Sequence, residues 1–272
     1  MDQVVGGGTV YASGKMLAAV RDGVGTITFN QPEKRNAMSI EMWGGLVDIL
    51  AAWEHDDSVR CVVLTGAGDK AFVSGADISQ FEKNRSNAEA QQEYEKRTSS
   101  GRATLTDYPK PVIARIQGFC LGGGLGIAMA ADIRVASDGA QFGIPAAKLG
   151  IAYGWDMVRR LVSLIGHANA RMILFTGERF GAAEATRIGL VNQVVPDAEL
   201  DATVEKLARI MAGNAPLSLQ GMKHIFGQAL RDPADRDIAS VTAAVATCFD
   251  SADYTEGRTA FMEKRKPRFQ GK

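Results

Sequence analysis

Apolar and polar positions alternate in short blocks through the first two thirds of the chain. The stretches 16–20 and 24–29 flank Asp22 and Gly23, a pattern that predicts a β-hairpin. Ser39 precedes apolar residues spaced three and four apart, which predicts a capped helix from 40 to about 55. Short apolar runs predict buried strands at 61–64, 112–116, 132–137 and 191–195.

Helical spacing dominates the second half of the chain. The pattern predicts helices at 157–165, 168–175 and 182–188, and from 197 onward nearly every segment has helical spacing. We therefore expect an α/β core over 16–196 and a helical region over 197–272, with 1–15 as a flexible leader. The polar stretch 79–107 predicts an exposed helix that could act as a lid.

Composition narrows the class of protein. The 272 residues carry 31 Lys+Arg and 31 Asp+Glu, so the net charge is zero, which disfavours nucleic-acid binding, including RNA binding by a basic face. No apolar run reaches the roughly 18 residues of a membrane span, and the N-terminus lacks a secretory pattern. The three cysteines and three histidines are scattered, which predicts buried free thiols, no metal site and a cytoplasmic location.

A glycine run, CLGGGLGIAMAADI, begins at Cys120 and invites three interpretations. It fails the dinucleotide fingerprint in both registers, and it lacks the Gly-Lys-Ser/Thr of a nucleotide phosphate loop. Two interpretations remain: a close-packed strand-to-helix turn, or a helix N-terminus whose free N–H groups face a developing negative charge. The second needs another backbone donor, and FVSGADIS, from Phe72 onward, is a similar turn; Asp77 within it could equally cap a following helix.

Four segments taken in this order resemble the crotonase (enoyl-CoA hydratase/isomerase) superfamily. They are FVSGADI, IARIQGFCLGGGLGIAMAADIRVASDGAQFGIPAAKLGI, LFTGERFGAAEATRIGLVNQVV and the tail EGRTAFMEKRKPRF, and the likeness runs from about residue 16 to the C-terminus. The resemblance implies an α/β crotonase (ClpP/crotonase-like) spiral of ββα units, followed by C-terminal helices that form trimers, often paired into hexamers. It also implies acyl-CoA thioester substrates, with coenzyme A entering as part of the substrate and no permanently bound cofactor.

The same resemblance assigns roles to individual positions. Backbone N–H groups of Ala76 and Gly123 would form an oxyanion hole for the thioester oxygen. Coenzyme A would lie along two segments of the same chain, and two tail residues would reach the coenzyme A of a neighbouring subunit, Lys264 close to a phosphate. For Lys34 and Lys264 the alternative is a plain solvated charge. The predicted coenzyme A contacts are Lys34, Arg35, Ala37, Ser74, Gly75, Ala76, Asp77, Ile78, Phe261 and Lys264.

Two departures from the family pattern bear on mechanism. Hydratases of the family carry a glutamate in GGG-x-E and another in QFG-x-PE, where this chain has Gly126 and Ala146. Neither residue can exchange a proton, and each general acid–base group contributes about 10²–10⁴-fold in rate. We therefore expect a reaction that diverges from two-glutamate hydration, and the isomerases that rely on the second position are also in doubt.

The segment KLGIAYGWDMVRR, from Lys148, offers substitute groups. Asp156 is a candidate base or nucleophile if it lies in a dry pocket; its alternative role is to start the helix that follows. Tyr153 is a candidate proton donor, with aromatic packing as its alternative, and Trp155 is expected to shape the acyl pocket. The leading hypothesis is an acyl-CoA lyase or isomerase of fatty acid metabolism that stabilises a thioester enolate. The alternative is a catalytically silent acyl-CoA-binding protein.

Overall fold

Two sheets organise the chain, and the computed structural model describes residues 4–5, 8–77 and 88–272. The strands are β1 (Val4–Val5), β2 (Gly8–Tyr11), β3 (Met16–Arg21), β4 (Val24–Phe29), β5 (Cys61–Gly66), β6 (Ala71–Val73), β7 (Val112–Ile116), β8 (Phe119–Leu121), β9 (Ile133–Ser137), β10 (Gln141–Gly143), β11 (Phe180–Gly181) and β12 (Gln193–Val195). The larger sheet has the order β1-β2-β3-β4-β5-β7-β9-β12, antiparallel up to β4 and parallel beyond it. The predicted hairpin and the four predicted strands lie in this sheet.

The helices alternate with these strands and then form the C-terminal end. They are α1 (Ile40–Glu54), α2 (Ala88–Asp107), α3 (Gly123–Ala130), α4 (Trp155–Thr176), α5 (Ala182–Arg187), α6 (Leu200–Gly213), α7 (Pro216–Ala229), α8 (Ile238–Phe249) and α9 (Ala252–Met262). Ser39 caps α1 by accepting a hydrogen bond from Met42 N, as predicted. The two helices predicted at 157–165 and 168–175 form one element, α4, which is interrupted at Gly166 by a φ of +74°.

The smaller sheet, ordered β11-β10-β8-β6, was not predicted as a sheet. Its strands have two or three residues each, and such short segments show no recognisable alternation of apolar and polar residues. This sheet positions the site. Strands β6 and β8 run parallel, so the two loops that follow them, 74–77 and 122–123, leave at the same edge.

The prediction of a flexible leader is wrong for the described residues from Gly8 onward. Residues of β2 pair with β3 in an antiparallel register from Thr9↔Ala18 to Tyr11↔Met16, so this segment extends the large sheet. Tyr11 and Ala12 also pack against the hydrophobic core. Glycines near the N-terminus suggested flexibility, but the unpaired edge of β3 gives the segment a hydrogen-bonding partner.

Helix α2 is docked rather than an exposed lid over its described length. A Cβ built on Gly101 would lie 2.6 Å from Trp43 Cε3, so α2 approaches α1 too closely for a larger residue at this point. Leu105 and Thr98 are buried on the same side of the helix. The polar composition of the segment concealed this narrow contact face. Residues 79–87 of the predicted lid lie outside the described residues.

The C-terminal helices have a different burial pattern from the core. In α6, Leu200, Val204 and Ala208 form a second small core against the large sheet. In α7, α8 and α9, by contrast, most large apolar side chains are exposed. The exposed apolar side chains of these three helices are Met222, Phe226, Ile238, Val245, Phe249, Tyr254, Phe261 and Met262.

Candidate active site

The glycine run forms the N-terminus of α3. Gly122 caps the helix with a φ of +52°, a conformation that glycine adopts without strain. A Cβ on Gly124 would lie 2.1 Å from the carbonyl oxygen of Val73, so α3 packs directly on β6. Close packing, one of the two interpretations of the run, therefore applies to Gly124. Because the first N–H groups of a helix have no partner within it, Gly123 presents its N–H at the helix end.

The 74–77 loop is fixed by the segment that precedes α1. Met38 N donates to Gly75 O at 2.8 Å, and Asp77 N donates to Met38 O at 2.9 Å. This is a parallel bridge between Met38 and Ala76. In a parallel bridge the central residue directs its own N–H to the opposite side. The N–H of Ala76 therefore points away from Met38.

The two loops meet at this point. A Cβ built on Gly123 would lie 3.9 Å from the backbone nitrogen of Ala76. One built on Gly122 would lie 3.6 Å from the hydroxyl oxygen of Tyr153 and 3.9 Å from Gly75 Cα. The structure thus brings together three of the four predicted catalytic positions: Ala76, Gly123 and Tyr153.

Most of the predicted coenzyme A contacts form one cluster beside this point. Lys34 Nζ lies 2.8 Å from Asp77 Oδ2, in an ion pair whose carboxylate is buried. Ser74 N donates to Arg35 O at 3.1 Å, and Ala37 is buried. Ile78, and the helix that Asp77 was predicted to cap, lie outside the described residues.

The Arg35 side chain and the two tail residues, Phe261 and Lys264, lie in different surroundings from this cluster. Arg35 has a φ of +52° and its guanidinium lies 5.0 Å from the centroid of the Phe119 ring. Phe261 is 82% exposed near the end of α9, and Lys264 follows in an exposed turn with a φ of +55°. Their predicted contact with a neighbouring subunit's coenzyme A stays a prediction.

The space that a side chain at position 126 would occupy is filled. A Cβ on Gly126 would lie 2.7 Å from Met157 Cε, 3.0 Å from Met157 Sδ and 3.7 Å from Arg102 Cδ. Ala146 is buried in a 3₁₀ turn, and its carbonyl accepts from Ile151 N at 3.0 Å. Position 126 is therefore closely packed, and position 146 is buried.

Asp156 and Trp155 do not match the surroundings expected for them. Both are exposed in the first turn of α4, with Trp155 at 73%. A carboxylate in a first helical turn interacts favourably with the helix dipole, which was the alternative role of Asp156. The dry pocket that a catalytic Asp156 would need is absent around it in the described chain. Trp155 packs into no acyl pocket there.

Cys120 borders the glycine run but does not supply a nucleophile. The side chain is fully buried, and burial raises the pKa of its thiol far above the ordinary value. Burial likewise raises the pKa of the Cys61 thiol to about 12. The thiolate is the reactive form, so both cysteines are inert at neutral pH. The prediction of buried free thiols is confirmed for these two residues.

A charged pair near the site was missed by sequence reasoning. Arg102 Nη2 lies 2.6 Å from Glu95 Oε1, and the Arg102 guanidinium lies 5.8 Å from the centroid of the Trp43 ring. A Cβ on Gly154 would lie 3.8 Å from Glu95 Oε1. Both residues belong to the polar stretch that was interpreted as a lid. Their seven-residue spacing on one helix face was the only available signal.

Two further findings concern metal clusters and membrane-spanning helices among the described residues. Among the residues with described positions, no three His, Cys, Asp or Glu side chains lie close enough to hold a metal ion. In the same part of the chain, every helix is too short or too polar to cross a membrane.

Known proteins share this arrangement of sheets, helices and loops. The enoyl-CoA hydratase/isomerase family model matches residues 19–272, and the chain belongs to this family. The expected α/β crotonase fold is confirmed by a crystal structure of an enoyl-CoA hydratase/carnithine racemase from Magnetospirillum magneticum. It superposes with a TM-score of 0.91 at 35% identity, covering 95% of this chain and 96% of that one.

Two relatives indicate the range of chemistry in similar sequences. A short-chain-enoyl-CoA hydratase from Clostridium acetobutylicum is 37% identical over 253 residues, covering 89% of this chain and 92% of the relative. A carnitinyl-CoA dehydratase from Escherichia coli is 34% identical over 253 residues, covering 90% and 94%. These names concern addition or removal of water at a CoA ester.

Proposed function

We propose that the protein is an acyl-CoA enzyme that stabilises a thioester enolate or oxyanion with the N–H groups of Ala76 and Gly123. The observation that carries the proposal is the convergence of two loops at the ends of β6 and β8. A Cβ built on Gly123 would lie 3.9 Å from the backbone nitrogen of Ala76. Two fixed donors aimed at one oxygen stabilise the charge that develops there in the transition state, and losing one typically costs about 10²–10³-fold in rate.

Coenzyme A binding follows from the cluster beside those donors. The substrate would lie along Lys34, Arg35, Ala37 and the 74–78 loop, with the Lys34 ammonium at the rim. A 45% exposed lysine side chain at this edge is placed to attract an anionic cofactor. No permanently bound cofactor enters the proposal, because coenzyme A arrives as part of the substrate.

The reaction diverges from two-glutamate hydration in this proposal. Gly126 and Ala146 stand where the family resemblance places glutamates, and the packing around Gly126 leaves no room for an added carboxylate without displacement of Met157. Tyr153 remains a candidate proton donor because its hydroxyl borders the oxyanion loops. Asp156 is a weaker candidate because it is exposed.

Self-association completes the proposal. The exposed apolar side chains of α7, α8 and α9 would be covered by further copies of the chain, as a trimer or a hexamer built from two trimers. Exposed apolar side chains on neighbouring helices are typical of a protein–protein interface. In that assembly Phe261 and Lys264 would reach the coenzyme A of the neighbouring subunit. We expect the assembled enzyme in the cytoplasm.

The experiment is an acyl-CoA panel incubated with the purified protein in D₂O and followed by mass spectrometry, beside a crotonyl-CoA hydration assay. We expect deuterium at the α-carbon of at least one acyl-CoA and slow hydration of crotonyl-CoA. Hydration at the rate of an ordinary hydratase would contradict the divergence. Binding of acyl-CoA with neither exchange nor turnover would favour the second candidate, a catalytically silent acyl-CoA-binding protein, which the two missing glutamates motivate.

A further inference from the structure

The candidate site lacks carboxylates at positions 126 and 146, but a carboxylate from another element lies at the loop that carries Tyr153. Glu95 lies on α2, and its Oε1 is 3.8 Å from the position of a Cβ on Gly154. Gly154 directly follows Tyr153, whose hydroxyl borders Gly122. Glu95 and Tyr153 are therefore placed at the same short loop, and the Tyr153 hydroxyl reaches from this loop to the N-terminus of α3.

Arg102 connects Glu95 to helix α3 at Gly126. Its Cδ lies 3.7 Å from the Cβ position of Gly126, and Gly126 lies one helical turn from Gly123 on α3. Its Nη2 lies 2.6 Å from Glu95 Oε1. The Glu95–Arg102 pair thus extends from α3 at Gly126 to the loop before α4 at Gly154.

The surroundings of the pair suit a carboxylate held in one position and reachable from the site. The Arg102 side chain is only 15% exposed and lies against Trp43, so it is anchored by packing. The Glu95 side chain is 44% exposed and can contact a ligand or solvent. A charge-assisted bond of this length fixes the orientation of the carboxylate.

We propose that Glu95 is the catalytic carboxylate of this enzyme and that Arg102 is its positioning residue, an inference that rests on the proposed function. The Glu95 carboxylate accepts a proton from the α-carbon of the acyl group. The electron pair of the broken C–H bond moves into the thioester, whose oxygen becomes negative and is held by Ala76 N–H and Gly123 N–H. Glu95 then returns a proton to the enolate, so the carboxylate is regenerated and no oxidant, reductant or other reactant is required.

The test measures deuterium uptake at the α-carbon of butyryl-CoA in D₂O, by mass spectrometry, for Glu95→Gln. We expect a fall of about 10²–10⁴-fold in the exchange rate with an unchanged Kd for butyryl-CoA. Glu93→Gln is the matched control. Glu93 is on the same helix, is 56% exposed and pairs with Arg97, so its exchange rate should stay within twofold of wild type.

The Arg102 variants separate positioning from folding. Arg102→Lys should keep a large part of the exchange rate, whereas Arg102→Met should lose at least tenfold, both at unchanged Kd for butyryl-CoA. If Glu95→Gln unfolds, Glu95→Asp replaces it, with an expected loss of at least tenfold.

Two outcomes overturn the proposal in distinguishable ways. Exchange within twofold of wild type in Glu95→Gln removes Glu95 from the mechanism and leaves the proposed function standing. Absence of exchange in the wild-type protein with butyryl-CoA and with the whole acyl-CoA panel overturns both.

Discussion

The two halves of the candidate site are built in different ways. The backbone half consists of the N–H groups of Ala76 and Gly123, which are fixed by strand ends, by a parallel bridge to Met38 and by the close packing of Gly124 on Val73. The side-chain half consists of positions 126 and 146, which hold a glycine and an alanine. The backbone half depends on the packing of the whole fold, whereas the side-chain half can change one residue at a time.

This difference explains how the chain belongs to the enoyl-CoA hydratase/isomerase family while lacking the carboxylates expected at two positions. Oxyanion stabilisation serves every reaction that passes through a thioester enolate. Acid–base groups, by contrast, are specific to one proton transfer. Met157 packs against Gly126, so the space that a side chain at position 126 would take is occupied.

The largest effect on turnover is expected from Gly124→Ala, a substitution in the backbone half of the site. A Cβ there would lie 2.1 Å from Val73 O, so Gly124→Ala must push α3 away from β6 and separate the two N–H donors. We expect about 10²–10³-fold lower turnover of the substrate found in the panel and a loss of about 1–3 kcal/mol in the free energy of unfolding. Turnover assays and urea titration measure both.

Gly44→Ala is the control for this substitution. A Cβ on Gly44 meets nothing within 4 Å, and Gly44 lies inside α1. The variant should be about 0.5–1 kcal/mol more stable than wild type, because alanine favours the helix, and equally active. Normal turnover in Gly124→Ala would show that the spacing of the loops is unimportant.

The second effect concerns Tyr153, whose hydroxyl borders Gly122. If its hydroxyl donates to the reacting acyl group, Tyr153→Phe removes a hydrogen bond to a charged group, worth about 1.5–3 kcal/mol. Turnover should then fall about tenfold to hundredfold with little change in KM. Unchanged turnover would assign Tyr153 to aromatic packing alone.

The third prediction tests whether Met157 fills the space that a side chain at position 126 would occupy. Gly126→Glu should lower the free energy of unfolding by about 1–3 kcal/mol, because the new side chain meets Met157. Met157→Ala alone should cost about 2–5 kcal/mol. The double variant should be more stable than the sum of the two by about 1 kcal/mol or more. Additivity in this double-mutant cycle would contradict the claim that Met157 fills the space at 126.

The smallest effect is expected at the rim of the site. Lys34→Met removes an ammonium from the predicted coenzyme A contacts and leaves Asp77 without this ion pair. We expect a fewfold weaker Kd for coenzyme A and a weaker dependence of Kd on salt, because the Lys34 ammonium is 45% exposed and its attraction to an anion is screened by solvent and salt. Arg209→Met is the control, because Arg209 pairs with Glu205 on α6 and is no predicted contact. Equal effects in both variants would indicate a plain solvated charge at Lys34.

The sequence could predict the two loops of the backbone half but not their surroundings, and the roles of Ala76 and Gly123 as donors stay a prediction. Loops at Ala76 and Gly123 were identified because glycines and strand ends follow local rules. The pairing of β6 with β8, which brings these loops together, was missed because three-residue strands have no readable period. Glu95 and Arg102 were missed because their role depends on the docking of α2 against Trp43, a contact between distant segments that no local pattern records.

The most direct test of the central claim is the infrared spectrum of bound crotonyl-CoA labelled with ¹³C at the thioester carbonyl. If Ala76 N–H and Gly123 N–H both donate to this oxygen, its stretch should move to lower wavenumber than in free solution. The shift should diminish in Gly124→Ala and persist in Glu95→Gln. A bound thioester with the carbonyl stretch of free crotonyl-CoA would contradict the account.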